Sequence, residues 1–265
     1  MEIYLETIEE LEQLADAAEL KRSDDVSIYL ERFSDLELMA TGVYAEVYDL
    51  PGEPDKVVKV CLSEIDGYYL FAQWCMRPQN QDNPHIPTIH REDVITLPSG
   101  KVVRFYVMER LEEISDTGRE ATLPSHFHDS DFGLLWGALR TITMPYAYNK
   151  KAFAHEVDSV EQLVDKIQDT TEHFYMNSAS SEPAIVEDQV IEQHQDLLET
   201  LFEVLSHVSL KGVVDLHGGN YMLRGDTIVV TDPISHQHPP ALQAQLTQQT
   251  AAPVNDRAQS IESVE

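Results

Sequence analysis

The order of predicted elements between residues 36 and 111 constrains the fold more than any single motif does. Apolar runs bounded by turn residues predict strands at 36–40, 43–49 and 56–62. An aromatic-rich helix is predicted at 64–76, and two further strands at 94–97 and 101–108 form a hairpin around Pro98-Ser99-Gly100. Three strands, one helix and two strands predict a mixed α+β domain.

The segments on either side are predicted to be largely helical. Residues 1–35 form an acidic N-terminal segment, in which Ile8, Leu11 and Ala15 recur at helical spacing among glutamates and a second helix covers about 25–33. Region 112–236 contains helices at 131–143, 158–175 and 187–207. Residues 237–265 are rich in His, Pro, Gln, Ala and Thr, so we expect a disordered tail.

Charge and cysteine content restrict the partners and the compartment. The chain has 47 acidic and 18 basic residues, and its formal charge is -29. Binding to a phosphate backbone needs clustered Lys and Arg, so direct nucleic-acid binding is disfavoured, whereas basic partners or a solvated acidic surface fit this charge. Cys61 and Cys75 form no CxxC pair, and no apolar run reaches the length of a membrane span. These features predict a cytosolic protein with no membrane partner.

Two carboxylates and one amide near the end of region 112–236 form a set suited to phosphate chemistry. Asp215 opens the stretch DLHGGN at 215–220, and Asp232 follows Asn220 by twelve positions, after a predicted hairpin of strands 221–223 and 228–230. Asp215 is the candidate catalytic base, because it could orient an acceptor hydroxyl. Asn220 and Asp232 offer the hard oxygen ligands that magnesium prefers. The structural alternative is an Asx-type turn that leads into the hairpin.

Lys59 is the candidate phosphate-binding cation. It lies in the apolar run Val57-Val58-Lys59-Val60, where a buried lysine would be costly unless it is paired. In a protein-kinase-like lobe, the lysine at this place binds the α- and β-phosphates of ATP and pairs with an acidic residue of the following helix. Glu64 and Asp66 are both candidates for that partner. The alternative is an edge-strand lysine that points to solvent.

Two further segments are placed where a nucleotide would be bound. The stretch ATGVYAEV at 40–47 resembles a glycine-rich loop in which alanines replace the first and third glycines. There Gly42 allows close backbone approach, Tyr44 could cap the phosphates and Val47 could pack on adenine. At the end of the fifth strand, backbone groups of Glu109 and Leu111 could meet the adenine edge.

Two other features complete the list of candidates. Asp131-Phe132-Gly133 spells a metal-binding triplet of protein kinases, but it precedes Asp215 in the chain, so we interpret it as a helix start. His217 could brace Asp215.

These residues together resemble the early protein kinase of T7-like phages. The stretches DLHGGNYML at 215–223 and TDPIS at 231–235 are similar to that family's D-x-H-x-G-N-x-M stretch and to its T-D-P in place of D-F-G. The loop at 42–48 and the strand at 57–60 are also similar. The resemblance covers about 36–111 and 211–235. It implies a compact two-lobed protein-kinase-like fold, with a β-rich N-lobe at 36–111 that has one main helix, and a mainly helical C-lobe at 112–236.

The resemblance also implies an activity, cofactors and partners. A member would be a Mg-ATP-dependent serine/threonine kinase, made early in infection in the host cytoplasm, that phosphorylates host transcription or RNA-processing proteins and also itself. The family's shut-off of host transcription is attributed largely to a basic C-terminal portion, whereas residues 237–265 contain a single basic residue, Arg257. No substrate-binding segment of the usual kind follows Asp232. Two alternatives therefore stay open: an acidic kinase-shaped binding protein that inhibits a host protein, and a small-molecule kinase of the aminoglycoside-phosphotransferase type.

Overall fold

The computed structural model describes residues 1–114, 135, 137–143, 152–176, 186, 188–216 and 218–251. The chain divides into two compact units, Met1–Glu112 and Glu113–Glu265. This division lies one residue beyond the boundary predicted between residues 111 and 112. Both units contain helices and strands, and the predicted α+β class is confirmed. None of the helices within the described ranges is long and apolar enough to cross a membrane.

The first unit follows the predicted order of elements, with helices added at its start. Its elements are α1 Glu2–Asp16, α2 Ser23–Phe33, β1 Glu37–Thr41, β2 Ala45–Asp49, β3 Lys56–Cys61, α3 Tyr68–Cys75, a 3-10 turn Pro78–Asn80, β4 Ile89–Thr96 and β5 Val102–Glu109. The short strand β6 Glu112–Glu113 contains the last residue of this unit and the first residue of the second. Two elements of the first unit begin more than two residues from the predicted position: α3 begins four residues later than expected, and β4 begins five residues earlier. The Oδ1 atom of Asp66 accepts a hydrogen bond from the Tyr68 amide at 2.9 Å, which forms a turn just ahead of the helix.

Five strands form an antiparallel sheet in the order β1-β2-β3-β5-β4. The register places Lys59 of β3 between Val47 of β2 and Tyr106 of β5. Because side chains alternate along a strand, Val47, Lys59 and Tyr106 share one face of the sheet. Val58 and Val60, which flank Lys59 on β3, lie on the opposite face. The sheet therefore has two distinct faces, and Lys59 lies on one of them.

Helices α1 and α2 cover the face opposite Lys59. The buried core of this layer combines residues of both helices with residues of the sheet: Tyr4, Ile8, Leu11, Val26, Leu30, Tyr48, Val58, Val60, Phe105 and Val107. Polar contacts join the same layers, since the Ser27 hydroxyl donates to Glu46 at 2.8 Å and the Tyr4 hydroxyl donates to Asp93 at 2.7 Å. Residues 1–35, which the sequence predicts as an acidic N-terminal helical segment, thus pack on the sheet within the first unit.

The second unit contains helices followed by short strands. Its labelled elements are α4 Val160–Met176, α5 Asp188–Gln193, α6 Gln195–Val208, β7 Gly212–Val214, β8 Tyr221–Arg224, β9 Thr227–Val230, β10 Ile234–Gln237 and α7 Pro240–Ala251. Residues 137–143 are also helical, and 3-10 turns occur at Phe153–His155 and Gly218–Asn220. The single helix predicted at 187–207 is two helices, because the chain turns at His194. The predicted hairpin is confirmed as β8 and β9.

The segment after residue 237 differs from the predicted disordered tail. Pro240 opens α7, and proline is favoured in the first turn of a helix, where its missing N–H costs nothing. Leu246 is fully buried, and its carbonyl oxygen lies 3.0 Å from the Nε2 atom of His155. Helix α7 therefore packs within the second unit through Leu246. Residues 252–265 lie outside the described residues.

Candidate functional site

The structure brings the backbones of the three predicted acid and amide residues of the second unit together. The amide of Asp215 donates to the carbonyl oxygen of Pro233 at 2.9 Å, next to Asp232. The amide of Thr231, on the other side of Asp232, donates to the Asn220 carbonyl oxygen at 2.8 Å. The three residues predicted from sequence are therefore connected by backbone hydrogen bonds on both sides of Asp232.

Pairing of β7 with β10 positions Asp215. Val214, the last residue of β7, lies opposite Ile234 of β10. At the start of β7, a Cβ on Gly212 would approach the Cδ1 atom of Ile234 to 2.4 Å and the His236 carbonyl oxygen to 2.6 Å. Only glycine allows the two strands to approach this closely, so Gly212 is a structural requirement of the strand that ends directly before Asp215.

The side chain of Asn220 is oriented by a contact within the same loop. Asn220 is buried, and its Nδ2 atom donates to the backbone oxygen of Asp215 at 2.7 Å. This hydrogen bond directs the amide oxygen Oδ1 away from the Asp215 carbonyl, and an amide oxygen is a hard metal ligand. Asp215 and Asp232 are both half-buried. His217, the predicted brace of Asp215, and Asp131-Phe132-Gly133 lie outside the described residues.

Asn220 and Asp232 could supply two oxygen ligands to magnesium. Within the described ranges, no group of three or more His, Cys, Asp or Glu side chains is arranged to hold a metal ion. A Mg²⁺ ion at Asn220 and Asp232 would complete its octahedral shell with phosphate oxygens and water, as is common where the metal arrives with a nucleotide. The amide oxygen of Asn220 and the carboxylate of Asp232 are ligand types that magnesium accepts.

In the first unit, Lys59 is buried in the sheet face opposite α1 and α2. Only 9% of the residue is exposed, so the edge-strand alternative is wrong. Its Nζ atom lies 3.6 Å from the ring centroid of Tyr68, the first residue of α3. The rings of Tyr68 and Tyr106 meet edge to face at 5.2 Å. Lys59 therefore presents an ammonium group that packs on an aromatic surface.

The two proposed acidic partners of Lys59 have different environments. Glu64 is exposed and lies in the turn before α3, whereas Asp66 is only 6% exposed. The Asp66 side chain also accepts a hydrogen bond from the amide of Tyr68, the residue whose ring contacts Lys59. Helix α3 itself contains no acidic residue. Asp66 is thus the better placed of the two candidates.

The loop between β1 and β2 is a tight turn. The amide of Gly42 donates to the Ala45 carbonyl oxygen at 2.7 Å, and the Leu62 amide donates to the Tyr44 carbonyl oxygen at 2.9 Å. Val43, at the tip of the turn, is 88% exposed, and Tyr44 is half-buried. Since the Gly42 amide is used within the turn, any phosphate contact in this loop would have to come from other amides.

The predicted adenine-binding segment has one of its backbone groups already engaged. The Glu109 amide donates to the Thr88 carbonyl oxygen at 3.0 Å, and the Glu109 carboxylate accepts from the Thr88 amide at 2.6 Å. A contact between Glu109 and adenine would therefore have to use the Glu109 carbonyl oxygen. Leu111 is buried two residues further along the chain.

Compared with known proteins, the sequence matches no protein-family model and no curated protein. The function is therefore inferred from the residues themselves. Sequence reasoning found Lys59 and the residues around Asp215, but it missed the aromatic contact at Tyr68. The available signal was the aromatic composition of residues 68–74, which indicates a packed helix without showing which ring meets Lys59.

Proposed function

We propose that this chain is a phage-type serine/threonine protein kinase that uses magnesium and ATP. The acceptors would be host proteins of the transcription or RNA-processing machinery, and the kinase itself. The first unit would be the N-lobe and the second unit the C-lobe of a protein-kinase-like fold. The resemblance to the early kinase of T7-like phages motivates the family, and the host bacterial cytoplasm would be the compartment.

The observation that carries the proposal is the set of hydrogen bonds around Asp232. These bonds place Asp215, Asn220 and Asp232 in one loop cluster, although twelve residues separate Asn220 from Asp232. In a phosphoryl transfer, Asp215 would accept or orient the acceptor hydroxyl, and the oxygens of Asn220 and Asp232 would hold magnesium. An isolated Asx turn would not require a second carboxylate at this place.

Lys59 supports the same proposal from the first unit. It shares a sheet face with Val47, which would pack on adenine. Its positive charge would bind the α- and β-phosphates of ATP, and Gly42, Tyr44, Glu109 and Leu111 would surround the nucleotide through loop and backbone contacts. After α1 and α2, the order of three strands, one helix and two strands resembles that of a kinase N-lobe and supports the proposal.

The tight turn at Gly42 favours one alternative, a kinase-shaped protein that binds a host target without transferring phosphate. The Gly42 amide is hydrogen bonded to Ala45 and is not directed at a ligand. Such a protein would use its formal charge of -29 to attract a basic surface. Binding of Mg-ATP separates this alternative from the kinase.

Thermal unfolding with and without ATP and magnesium tests the proposal. At a ligand concentration of one hundred times Kd, binding stabilises the folded state by about 2.7 kcal/mol, which is roughly 5–10 °C for a chain of this size. We expect this stabilisation in the wild type. Asp232→Asn should remove the part that depends on magnesium, and Lys59→Met should remove most of the stabilisation by ATP.

The control variant is Asp226→Asn, which changes an exposed aspartate in the turn between β8 and β9 of the same unit. It should respond to Mg-ATP as the wild type does. Absence of any stabilisation in the wild type would overturn the kinase proposal and favour the binding protein. Equal stabilisation of wild type and Asp232→Asn would remove Asp232 from the metal site.

A further inference from the structure

The ammonium group of Lys59 is held by an aromatic ring. Its Nζ atom lies 3.6 Å from the centroid of Tyr68, and Tyr68 is completely buried. A cation at this distance is attracted by the negative face of the ring, and the attraction is strongest where water is excluded. Lys59, with 9% of its surface exposed, meets this condition.

Neighbouring residues fix the plane of the Tyr68 ring. It meets Tyr106 edge to face at 5.2 Å and Phe71 edge to face at 6.1 Å. The Tyr68 hydroxyl donates to the Sδ atom of Met108 at 3.4 Å, and the Tyr68 amide donates to Asp66. The ring is therefore anchored at its backbone, its edge and its hydroxyl, and its face is held towards Lys59.

We propose that Tyr68 is a positioning residue for Lys59. Its ring orients the Lys59 ammonium group on the sheet face that carries Val47. The inference rests on the proposed function, because it assigns Lys59 to the phosphates of ATP. A ring differs from a carboxylate in one respect that matters for this role. It attracts the ammonium group without carrying a net charge of its own.

The position of Lys59 can be measured without any activity. The chain has only eight lysines, so selective ¹³C labelling of lysine gives eight Cε–Hε correlations, and Lys59→Arg assigns the one that belongs to Lys59. A methylene group above a ring face experiences an upfield ring-current shift. We expect the Lys59 signal to lie upfield of the signals of exposed lysines in the wild type, without nucleotide.

Two substitutions of Tyr68 distinguish the effect of the aromatic ring on the Lys59 signal from the effect of side-chain volume. Tyr68→Phe keeps the ring and loses only the hydroxyl, so it should retain the upfield shift, whereas Tyr68→Leu should lose it. Phe105→Leu is the matched control, because it removes an equally buried ring from the opposite face of the same sheet. It should leave the Lys59 signal close to its wild-type position.

Nucleotide affinity gives the second measurement. Tyr68→Leu should weaken ATP binding about fivefold to thirtyfold, which corresponds to the loss of one desolvated cation–π contact. Tyr68→Phe and Phe105→Leu should stay within about twofold of the wild type, since both keep the contact.

The outcomes of the two measurements are distinguishable. An unshifted wild-type Lys59 signal, or a signal unchanged by Tyr68→Leu, overturns the positioning role whether or not ATP binds. A shifted signal in a protein that does not bind ATP overturns the proposed kinase and leaves the contact established. If Tyr68→Leu does not fold, the wild-type shift and the Tyr68→Phe variant still decide the position.

Discussion

Replacing Tyr4 with phenylalanine tests how α1 is attached to the sheet. Tyr4 is completely buried, and its hydroxyl donates to the Oδ2 atom of Asp93 on β4 at 2.7 Å. Asp93 also receives two hydrogen bonds from Arg91, at 2.5 and 2.7 Å. Tyr4→Phe keeps the ring in the core and removes one hydrogen bond to a carboxylate, while Arg91 stays in place.

The expected loss follows from the charge and burial of the acceptor. A hydrogen bond to a charged group contributes about 1.5–3 kcal/mol, and because Arg91 still compensates Asp93 we expect about 1–2 kcal/mol of lost stability. The side chain of Asp93 is 14% exposed, so water can replace the hydroxyl only in part. The free energy of unfolding should therefore fall by this amount at pH 7.

The loss should depend on pH. Burial acts to raise the pKa of Asp93, but the hydrogen bonds from Arg91 and Tyr4 are stronger and hold that pKa below its usual value. A lowered pKa in the folded state contributes stability above the unfolded pKa, and this contribution is lost as the pH falls through the folded pKa. The difference between wild type and Tyr4→Phe should be full well above the unfolded-state pKa of about 3.9 and should shrink as the pH falls below that value.

Urea unfolding at several pH values measures this difference, and Tyr29→Phe is the control. The Tyr29 hydroxyl donates to Glu10 on the protein surface, where such a pair contributes about 0–1 kcal/mol. If Tyr4→Phe costs no more than Tyr29→Phe at pH 7, or if its cost does not shrink in acid, then the Tyr4–Asp93 contact does not hold α1 on the sheet.

Three further perturbations address the second unit, each measured by denaturant unfolding. Leu246→Ala should cost about 2–4 kcal/mol, because it removes the buried anchor of α7, whereas a disordered tail would show no change. Gly212→Ala should cost about 1–3 kcal/mol and should also impair phosphate transfer, because the added methyl group would overlap Ile234; a neutral result would contradict the close approach of β7 and β10. Burial lowers the pKa of His238, so the wild type should lose stability as the pH falls below about 6.5, and His238→Gln should lose less over the same range; parallel curves would argue against a buried neutral imidazole.

Much of the first unit could be predicted from sequence because its signals are local. Apolar runs interrupted by Gly and Pro gave the five sheet strands in order. The start of α3 could not be predicted, because it depends on a hydrogen bond from Tyr68 to the Asp66 side chain. The attachment of α1 was also hidden, because its partners, such as Asp93, are about ninety residues away in the chain.

In the candidate site, too, local features could be predicted from the sequence and long-range contacts could not. The residue types and spacing of Asp215, Asn220 and Asp232 could be read from the sequence, and the hairpin between Asn220 and Asp232 was predicted from it. Their connection depends on the pairing of β7 with β10 and on the contact between Asp215 and Pro233, and no local pattern specifies such pairings. The helix at 240–251 was missed because the overall composition of residues 237–265 does not show that Leu246 is buried.

Transfer of the γ-phosphate is the measurement that tests the central claim most directly. Purified chain is incubated with γ-labelled ATP, magnesium and bacterial lysate, and label on protein serine and threonine is quantified for wild type, Asp215→Asn and the control Asp226→Asn. We predict that wild type and Asp226→Asn label proteins equally, and that Asp215→Asn lowers the rate about 10²–10⁴-fold, as expected for loss of a catalytic base. Labelling by Asp215→Asn at the wild-type rate, or no labelling of protein by the wild type, would contradict the account.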